Sequence, residues 1–334
     1  MKLSEAEIQV LASLHVAELE NLPTTRESLE NSGERYWIYK ENWSSAFPSL
    51  IDKRLVQGDD SNYTLTDYGQ PIAINYYAER PDLYWYYYQQ FYSMMEESEA
   101  HSRFCGLVYG VDLSQEGQTD MTCLNDVLKQ LNLKSGDKVL DLGCGAGGLS
   151  EYIANTTGAK VTGIDYSASA INAANKRVKG KENRLSFVQA DLNSLDLPPS
   201  SYDAAISIDS IYWVADETKT ISSIANALKP GGQLFILIEH RIDEGDDLSM
   251  KSSDKTSVAR SLNELNLNYD VTDYTDQFIK FWPLAKKTAL ALREDFAKEG
   301  TKLIYDNWIR EADEDYLPAL NANRLSRYMY KVGV

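Results

Sequence analysis

Apolar and polar residues repeat with a helical period near the start of this chain. Ile8, Leu11 and Leu14 keep the spacing of an amphipathic helix, and Ser4 with Glu7 forms the pattern of a helix start. A second helix is predicted over 42–54. It is followed by short β-type segments on either side of a Gly/Asp/Asn-rich turn at 58–62, which predict a hairpin. The first 75 residues are therefore expected to be mainly helical, with one hairpin.

The pattern changes after residue 130, where short apolar runs alternate with amphipathic segments. The runs occupy 138–143, 159–167, 185–192, 202–210 and 231–240. This alternation is typical of βαβ units, in which helices cover both faces of a parallel sheet. Residues 324–332 predict one last strand. The fold class expected from this pattern is α/β.

Three regions follow from these patterns: a domain over 1–75, a connector over 76–130 and an α/β domain over 131–334 with a helical insertion at about 274–315. The connector is strongly aromatic between residues 81 and 109. Its rings are expected either to fill a groove between two domains or to form a lid over a small-molecule pocket, and the two roles are compatible. The aromatic residues of the insertion recur at near-helical spacing, which favours a core position.

Composition and charge narrow the classes of partner. The 334 residues carry 33 Lys and Arg against 50 Asp and Glu, a net charge of −17, which repels phosphate backbones and anionic lipid. Three cysteines without a CxxC pair and three histidines without an HExxH pattern predict no metal site. The chain has no apolar run of membrane-spanning length and an acidic N-terminus, so a cytoplasmic protein is expected.

The helices and hairpin of the first region resemble a winged helix. That resemblance suggests DNA binding, but residues 1–80 hold 7 Lys and Arg against 13 Asp and Glu. DNA-binding modules normally present a basic face. A dimerisation role, giving a homodimer, or a role in covering the substrate is therefore preferred.

The richest chemical signal is the glycine loop at 139–148. Glycines allow the backbone to turn tightly and a ligand to approach closely. Gly143, Gly145 and Gly148 match the GxGxxG pattern of dinucleotide-binding folds, which is a weak signal by itself. Asp141 decides between ligands, because a carboxylate here repels a pyrophosphate and attracts an ammonium group.

The segment VLDLGCGAGGLS resembles the first motif of the class I S-adenosylmethionine-dependent methyltransferases, hhDhGxGxG. The resemblance implies a Rossmann-like, open and mostly parallel sheet of seven strands with the last strand antiparallel. It also implies S-adenosylmethionine as cofactor and S-adenosylhomocysteine as product. The cofactor-binding residues that it implies in this segment are Asp141, Gly143, Cys144, Gly145 and Gly147.

Later motifs of the same family follow in order. Asp165, with Tyr166, ends the second strand and is expected to accept hydrogen bonds from the ribose hydroxyls. Asp191 and the backbone amide of Leu192 are expected at the adenine ring. Ile208 in the fourth strand and Tyr109 before the first complete the implied site, the latter closing over the methionine end. The simpler interpretation of the three aspartates is that they cap strands, helices or turns.

Candidate catalytic residues follow the fourth and fifth strands: Asp209, Tyr212 and His240. Small-molecule members of the family often carry a histidine where this chain has Tyr212 and an adjacent Trp. His240 is the alternative base, or a hydrogen-bonded histidine at the rim of the site. Asp209 and Glu239 are expected either to bind a cationic amine or to cap helix ends, and His101 is expected at the surface.

These observations predict a methyltransferase that acts on a small molecule by in-line displacement, with nitrogen slightly favoured over oxygen as acceptor. One alternative is a methyltransferase of protein or RNA that the first domain grips. Another is a non-catalytic regulator that binds S-adenosylmethionine. An NAD-dependent oxidoreductase is disfavoured by Asp141 and by the motifs after it.

Overall fold

The computed structural model describes residues 2–19, 22–37, 40–79 and 83–334. The chain divides into two compact units, Met1–Phe91 and Tyr92–Val334. Their boundary lies within the predicted connector, in a helix over Leu83–Met95. The side chains at 84–87, which are four of the nine aromatic residues between 81 and 109, lie outside the described residues.

The first unit consists of helices followed by a hairpin and one more helix. Its elements are α1 (Glu5–Leu19), α2 (Arg26–Tyr36), a 3-10 turn (Trp43–Ser45), α3 (Ala46–Asp52), β1 (Val56–Asp59), β2 (Asn62–Leu65) and α4 (Gly69–Glu79). The predicted start of α1 is confirmed, because the Glu7 amide donates to Ser4 Oγ at 3.3 Å and the Ser4 amide donates to Glu7 Oε2 at 2.8 Å. The predicted hairpin is also confirmed, with β1 antiparallel to β2.

The core of this unit lies between α1, α3 and the hairpin. Trp43, Phe47 and Leu50 are almost fully buried, and the Phe47 ring stacks on that of Tyr63 with centroids 4.6 Å apart. The helix predicted over 42–54 is in fact a 3-10 turn followed by the shorter α3. The likeness of this unit to a winged helix stays a prediction.

The second unit contains one sheet and the helices around it. The elements that lead to the sheet and build its parallel part are α5 (Leu83–Met95, which begins in the first unit), α6 (Glu99–Val108), α7 (Met121–Leu131), β3 (Lys138–Leu142), α8 (Gly148–Thr157), β4 (Lys160–Asp165), α9 (Ala168–Val178), β5 (Leu185–Gln189), β6 (Tyr202–Ile208), α10 (Glu217–Ala227) and β7 (Leu228–Arg241). The remaining elements are α11 (Ser257–Glu264), β8 (Asn268–Asp273), α12 (Thr275–Ala291), α13 (Arg293–Glu299), α14 (Lys302–Arg310), a π-helical segment (Glu311–Tyr316), α15 (Leu317–Asn321) and β9 (Leu325–Gly333).

The seven strands of this sheet run in the order β5-β4-β3-β6-β7-β9-β8. Strands β3 to β7 are parallel, and β9 is antiparallel to both of its neighbours. The predicted α/β class and the seven-stranded, mostly parallel sheet with an antiparallel last strand are confirmed. In open sheets of this kind the ligand site lies beyond the carboxyl ends of the strands, where the strand order reverses. Here that point is beyond β3 and β6.

Both faces of the sheet are buried, which explains the nearly continuous apolar runs of the central strands. Val139 and Ile206 pack on one face, and Leu140 and Ala205 pack on the other. Alternate residues of a strand point to opposite faces, so each run supplies side chains to two cores.

A helical segment over 275–321 connects β8 to β9 and contains the predicted insertion at about 274–315. Tyr274, Phe278, Phe281 and Trp282 are buried, as their spacing predicts. Trp282 stacks on Tyr316 of the π-helical segment, with ring centroids 3.9 Å apart. Among the described helices, none has the length and hydropathy needed to cross a bilayer.

Candidate active site

The glycine loop is held against the end of β4 by its own backbone. The amides of Gly143 and Cys144 both donate to the Ile164 carbonyl, at 2.8 and 3.0 Å. Gly143, Gly145 and Gly147 all have positive φ, between 53° and 74°, a region that favours glycine. The sequence places glycine where this turn requires it.

The loop also lacks room for side chains. A Cβ on Gly145 would stand 2.7 Å from the Tyr92 hydroxyl, and a Cβ on Gly147 would stand 2.5 Å from the Phe187 ring. Gly148 begins α8 so close to the chain at Leu113 that a Cβ there would stand 1.7 Å from its carbonyl oxygen. The loop is therefore a cradle bounded on several sides by neighbouring elements.

Asp165, at the end of β4, lies beside this cradle. Its carboxylate accepts hydrogen bonds from the amides of Gly145 and Ser167, each at 2.9 Å. The residue is 6% exposed, and burial raises the pKa of the carboxyl group even though these amides favour its ionised form. A carboxylate has about four acceptor positions, so the two amides leave capacity for two hydroxyl donors.

Asp141 lies beneath the loop rather than at its surface. Its carboxylate accepts a hydrogen bond of 2.5 Å from Ser150 Oγ, in the first turn of α8. Burial raises the pKa of Asp141 to about 6, and the nearby Asp165 contributes to the shift. The Asp141 carboxylate is therefore buried beneath the loop, and its hydrogen bond joins the end of β3 to the start of α8.

The segment before α7 lies across the cradle. Arg177 of α9 donates to the Ala146 carbonyl at 2.7 Å and to Ser114 Oγ at 2.9 Å, which joins this segment to the loop. Tyr109, predicted to close over the cofactor, is buried, and its hydroxyl donates to the Gly117 carbonyl at 2.7 Å. Tyr109 thus holds this segment in place through a buried hydrogen bond to its backbone.

The remaining predicted cofactor residues lie at neighbouring strand ends. The Asp191 carboxylate accepts from the amide and the side-chain nitrogen of Asn193, at 2.9 and 2.8 Å, so it caps its own turn. Leu192 is buried beside it. Tyr166 and Ile208 are half-buried, directly after β4 and at the end of β6.

Asp209, predicted as catalytic, forms a buried ion pair. Arg327 Nη2 of β9 lies 2.8 Å from its carboxylate, and the two side chains are 2% and 6% exposed. The Gln118 amide and the Thr119 hydroxyl also donate to this carboxylate, at 2.9 and 3.3 Å. Burial opposes the charge of Arg327, but Asp209 outweighs it and raises the pKa of the guanidinium group. With its charge neutralised, Asp209 connects the segment over the cradle to the sheet.

A group of polar side chains lies next to this ion pair, which we call the acidic cluster: Gln118, Tyr212, Glu239, Glu311 and Tyr316. Gln118 Nε2 donates to the Tyr316 hydroxyl at 2.7 Å, and this hydroxyl is placed to donate to the Glu239 carboxylate. Glu239 Oε2 and Gln118 Oε1 are buried and accept no hydrogen bond from the described residues. Buried acceptors of this kind normally have a partner, which can be a ligand or water.

Electrostatic coupling connects the members of the acidic cluster. Burial raises the pKa of Glu239 and raises that of Glu311 to about 7, and each carboxylate opposes ionisation of the other groups nearby. Burial and the carboxylates of Asp209 and Glu239 also raise the pKa of Tyr212 well above its usual range, although 38% of the residue is exposed. Arg310 Nη2 lies 3.5 Å from the Glu311 carboxylate and pairs with it, whereas Glu239 forms no ion pair among the described residues.

The structure does not bring His240 to Asp209 and Tyr212. In the β7–β9 ladder Glu239 is opposite Arg327, whereas His240 is opposite Ser326, on the other face. His240 Nε2 forms a hydrogen bond of 2.9 Å with the Met250 carbonyl. This arrangement corresponds to the rim histidine and gives no support to the histidine base.

His101 is also placed differently from the expectation. It was expected at the surface, but it is 1% exposed, with Nε2 3.4 Å from Cys105 Sγ. Burial lowers its pKa to about 4. The expectation of a surface residue is wrong, because one face of α6 packs into the core.

Four residues of the site were missed by sequence reasoning: Tyr92, Gln118, Glu311 and Tyr316. Tyr92 belongs to the predicted aromatic connector, which was a usable signal. Glu311 and Tyr316 come from the helical segment, where nothing in the local pattern marks a pocket residue. π-Helical turns are frequent at functional sites, but they are not visible in a sequence.

A series of contacts connects the cradle to the acidic cluster. Ser210 Oγ donates to the Leu142 carbonyl at 2.6 Å, beside the first glycine of the loop. The next contacts run from Asp209 through Gln118 to Tyr316. The glycine loop and the acidic cluster therefore adjoin at the ends of β3, β6 and β7.

Comparison with known proteins identifies the domain. Residues 139–232 match the family model described as "Methyltransferase domain", and these residues include the glycine loop, Asp165, Asp191 and Asp209. Together with the strand order, this match confirms the prediction that the chain carries a class I S-adenosylmethionine-dependent methyltransferase domain.

Individual relatives share about a third of the aligned residues. A sterol 24-C-methyltransferase of Gibberella zeae is 31% identical over 178 residues, which cover 47% of each chain. Phosphoethanolamine N-methyltransferase 1 of Triticum aestivum is 33% identical over 219 residues, covering 60% of this chain and 43% of the relative. The chain thus spans about half the length, or less, of these curated relatives.

A solved structure shares the fold. Phosphoethanolamine N-methyltransferase 2 of Haemonchus contortus, in complex with phosphomonomethylethanolamine and S-adenosylhomocysteine, superposes with a TM-score of 0.60. It is 20% identical and covers 74% of this chain and 60% of its own. At this identity the likeness shows a common fold.

Proposed function

We propose that this protein transfers a methyl group from S-adenosylmethionine to the nitrogen of a small-molecule amine. The methyltransferase family model and the curated relatives, named for sterol and phosphoethanolamine methylation, support methyl transfer to a small molecule. The acidic cluster supports nitrogen as the acceptor atom. The observation that carries this choice is the buried Glu239 Oε2, which has no hydrogen-bond partner among the described residues.

The cradle fits the proposed cofactor. S-adenosylmethionine supplies a methyl group on a positively charged sulfonium and carries an ammonium group at its amino-acid end. Gly143, Gly145 and Gly147 supply the positive φ angles of the tight turn, and Asp165 retains acceptor capacity for ribose hydroxyls. Asp141 adds negative charge beneath the loop. These residues would hold the cofactor, with Tyr92 over the loop.

An ammonium group matches the acidic cluster in both charge and hydrogen bonding. It carries several N–H donors, whereas a hydroxyl offers a single donor. Glu239 Oε2 and Gln118 Oε1 would each receive one N–H group, and Tyr212 and Tyr316 supply aromatic rings that attract cations. An alcohol would leave one of the two acceptors without a donor, at a cost of about 1–3 kcal/mol.

The site residues would contribute mainly by position. The segment from Tyr109 to Thr119 lies across the cradle. Arg177 binds it near its middle, at Ser114, and Asp209 binds it near its end, at the Gln118 amide. This segment would exclude water from the space between cofactor and acceptor, and the acidic cluster would hold the amine in line.

The first unit is proposed to form a homodimer rather than to bind nucleic acid, since residues 1–80 carry excess negative charge. Sedimentation of the full chain, alone and with duplex DNA or RNA, would test this. A dimer that does not bind DNA or RNA would support the proposal, and salt-sensitive nucleic-acid binding would contradict it.

Methyl transfer can be tested with matched acceptors. The protein is incubated with S-adenosylmethionine and pairs of compounds that differ only in an amine or a hydroxyl group, including phosphoethanolamine. Products are detected by mass spectrometry. We expect methylated amines and no methylated alcohols. Methylation of hydroxyl groups alone, or of macromolecules alone, would reject the proposal, and NAD binding without S-adenosylhomocysteine binding would reject the domain's assigned cofactor.

A further inference from the structure

The position of Glu239 suggests more than a binding role. Strand β7 directs this side chain to the same face as Arg327 of β9, while the neighbouring His240 points to the opposite face. One carboxylate oxygen faces the Tyr316 hydroxyl, and the other, Oε2, is buried with no donor from the described residues. A buried carboxylate with one oxygen engaged and the other available is suited to accept a proton.

The groups around Glu239 come from every element packed against it. They are Arg241 on β7, Arg327 on β9, Asp209 and Tyr212 after β6, and Glu311 and Tyr316 in the π-helical segment. Arg327 is already paired with Asp209, and Arg241 is exposed and lies over the Tyr316 ring, with 5.3 Å between guanidinium carbon and centroid. Glu239 therefore has no dedicated cationic partner.

Two carboxyl groups in one buried region make the proton affinity of each higher. Burial raises the pKa of Glu239, and Glu311 lies near enough to be electrostatically coupled to it. Carboxylates with raised proton affinity are better matched to proton transfer near neutral pH than ordinary surface carboxylates.

Asp209 and Tyr212 are weaker candidates for the same task. The Asp209 carboxylate is occupied by Arg327, Gln118 and Thr119. The Tyr212 hydroxyl resists ionisation because burial and the surrounding carboxylates disfavour a phenolate. Asp209 Oδ1 accepts no hydrogen bond either, but Arg327 Nη2 lies 2.8 Å from it. Glu239 Oε2 is a buried carboxylate oxygen that has neither a hydrogen-bond donor nor an ion pair among the described residues.

We propose that Glu239 is the catalytic base, which takes a proton from the ammonium form of the acceptor. This inference rests on the proposed function, since it requires an amine acceptor.

The proton step is balanced within the site. One N–H bond of the ammonium group breaks, and its electron pair stays on nitrogen as the lone pair required for attack on the methyl group. An O–H bond forms at Glu239 Oε2. After methylation the nitrogen again carries a positive charge, and Glu239 passes its proton to water when the product leaves. One proton is released for each methyl group transferred.

Direct titration of the side chain tests this without turnover. The protein is labelled with glutamate enriched in carbon-13 at the side-chain carboxyl, and the Glu239 signal is assigned by its absence in Glu239→Gln. With S-adenosylhomocysteine present, the signal is titrated alone, with n-propylammonium and with n-propanol. We expect n-propylammonium to lower the apparent pKa of Glu239 by about one unit or more and n-propanol to leave it unchanged.

Kinetics with any amine methylated in the acceptor screen give the second readout. Glu239→Gln should reduce kcat by about 100-fold or more, the usual range for loss of a general base, and its residual rate should rise with pH as free amine accumulates. Glu244→Gln makes the same chemical change on the exposed turn after β7 and should match the wild type.

The outcomes separate this inference from the proposed function. An amine that is methylated while Glu239→Gln keeps kcat within about threefold and an unchanged pH profile overturns the base but leaves N-methylation standing. A Glu239 signal that does not respond to n-propylammonium also overturns it. If no amine is methylated, the proposed function fails, and a Glu239 response to n-propylammonium would then support amine binding only. If Glu239→Gln does not fold, Glu239→Asp takes its place, because it retains a carboxylate. Its kcat should be lower than that of the wild type, and the acidic limb of its pH profile should still be present.

Discussion

The two ends of the candidate site are formed by different kinds of contact. At the cofactor end, the glycine loop and Asp165 follow directly from two neighbouring strands, and most of their contacts are with the backbone. At the acceptor end, side chains from distant parts of the chain meet: Gln118 before α7, Glu239 on β7 and Tyr316 in the π-helical segment. A site made of backbone turns can be predicted from local sequence, whereas a site made of distant side chains depends on packing.

The buried ion pair at the acceptor end should be the most sensitive feature. Arg327→Met leaves the buried Asp209 carboxylate without its cation, and we expect a loss of about 3–5 kcal/mol in the free energy of unfolding of the second unit. Urea unfolding measures this loss. Lys229→Met breaks the more exposed pair with Asp203 and should cost at most about 1 kcal/mol. Equal losses in the two variants would show that the buried pair does not hold this end together.

At the cofactor end the corresponding weak point is a glycine. Gly147→Ala places a Cβ 2.5 Å from the Phe187 ring, at a φ of 74°, and should cost about 3 kcal/mol through crowding and backbone strain. Gly245→Ala is the control, because nothing lies within 4 Å of its Cβ and its φ is not positive. It should change stability by less than about 0.5 kcal/mol. Similar stability of the two variants in urea would contradict the tight cradle.

Asp165 is proposed to bind the cofactor, whereas Asp191 caps its own turn, and substitution of each should therefore have a different effect. Asp165→Asn should weaken S-adenosylhomocysteine binding by about 100-fold, because two charge-assisted hydrogen bonds at about 1.5 kcal/mol each are lost. Asp191→Asn should cost less than about tenfold, since Asn193 already uses that carboxylate. Isothermal titration calorimetry measures both. A larger effect at Asp191 would restore it to the adenine site and contradict the capping role.

The pH dependence of stability should differ in sign between the two units. Burial raises the pKa of Asp141 from 3.8 to about 6. Its contribution to the stability of the second unit is therefore fully present below about pH 4 and is lost as the pH rises through 6. Burial also opposes ionisation of Glu7, but Lys53, Ser49 and the Ser4 amide outweigh it and lower its pKa to about 2, so its contribution is lost as the pH falls from 4.5 toward 2.

The two contributions can be separated by substitution. In the wild type, Asp141 should lower the free energy of unfolding of the second unit by about 2 kcal/mol as the pH rises from 4 to 7. Asp141→Asn should not show this decrease. Glu7→Gln should leave that range nearly unchanged and flatten the acid limb of the first unit. Unfolding curves at each pH provide the values. An unchanged slope in Asp141→Asn would show that this carboxyl is not the titrating group.

Sequence reasoning reached the fold because the strand pattern and the glycine loop are local features. The five parallel strands, the antiparallel last strand and the buried stripe from Tyr274 to Trp282 could all be predicted. The acceptor end could be predicted only in part. Asp209 and Glu239 were identified as candidate binders of a cationic amine. The sequence could not show that Arg327 neutralises Asp209, nor which of Glu239 and His240 faces the site.

The difference between adjacent residues of β7 illustrates why. The face to which a strand residue points depends on register with its neighbours, and β9, which fixes that register, lies more than 80 residues further along the chain. The π-helical segment adds Glu311 and Tyr316 through an irregular turn that no period predicts. Such residues become visible only when the packed helices are known.

One experiment asks whether Asp165 serves the cofactor while Glu239 serves the acceptor. S-adenosylhomocysteine is titrated by calorimetry into wild type, Asp165→Asn and Glu239→Gln under the same conditions. We expect Asp165→Asn to lose about 100-fold in affinity, and Glu239→Gln to stay within about threefold of wild type while losing methyl transfer to amines. Equal loss of S-adenosylhomocysteine binding in both variants would place Glu239 in the cofactor site and contradict the division.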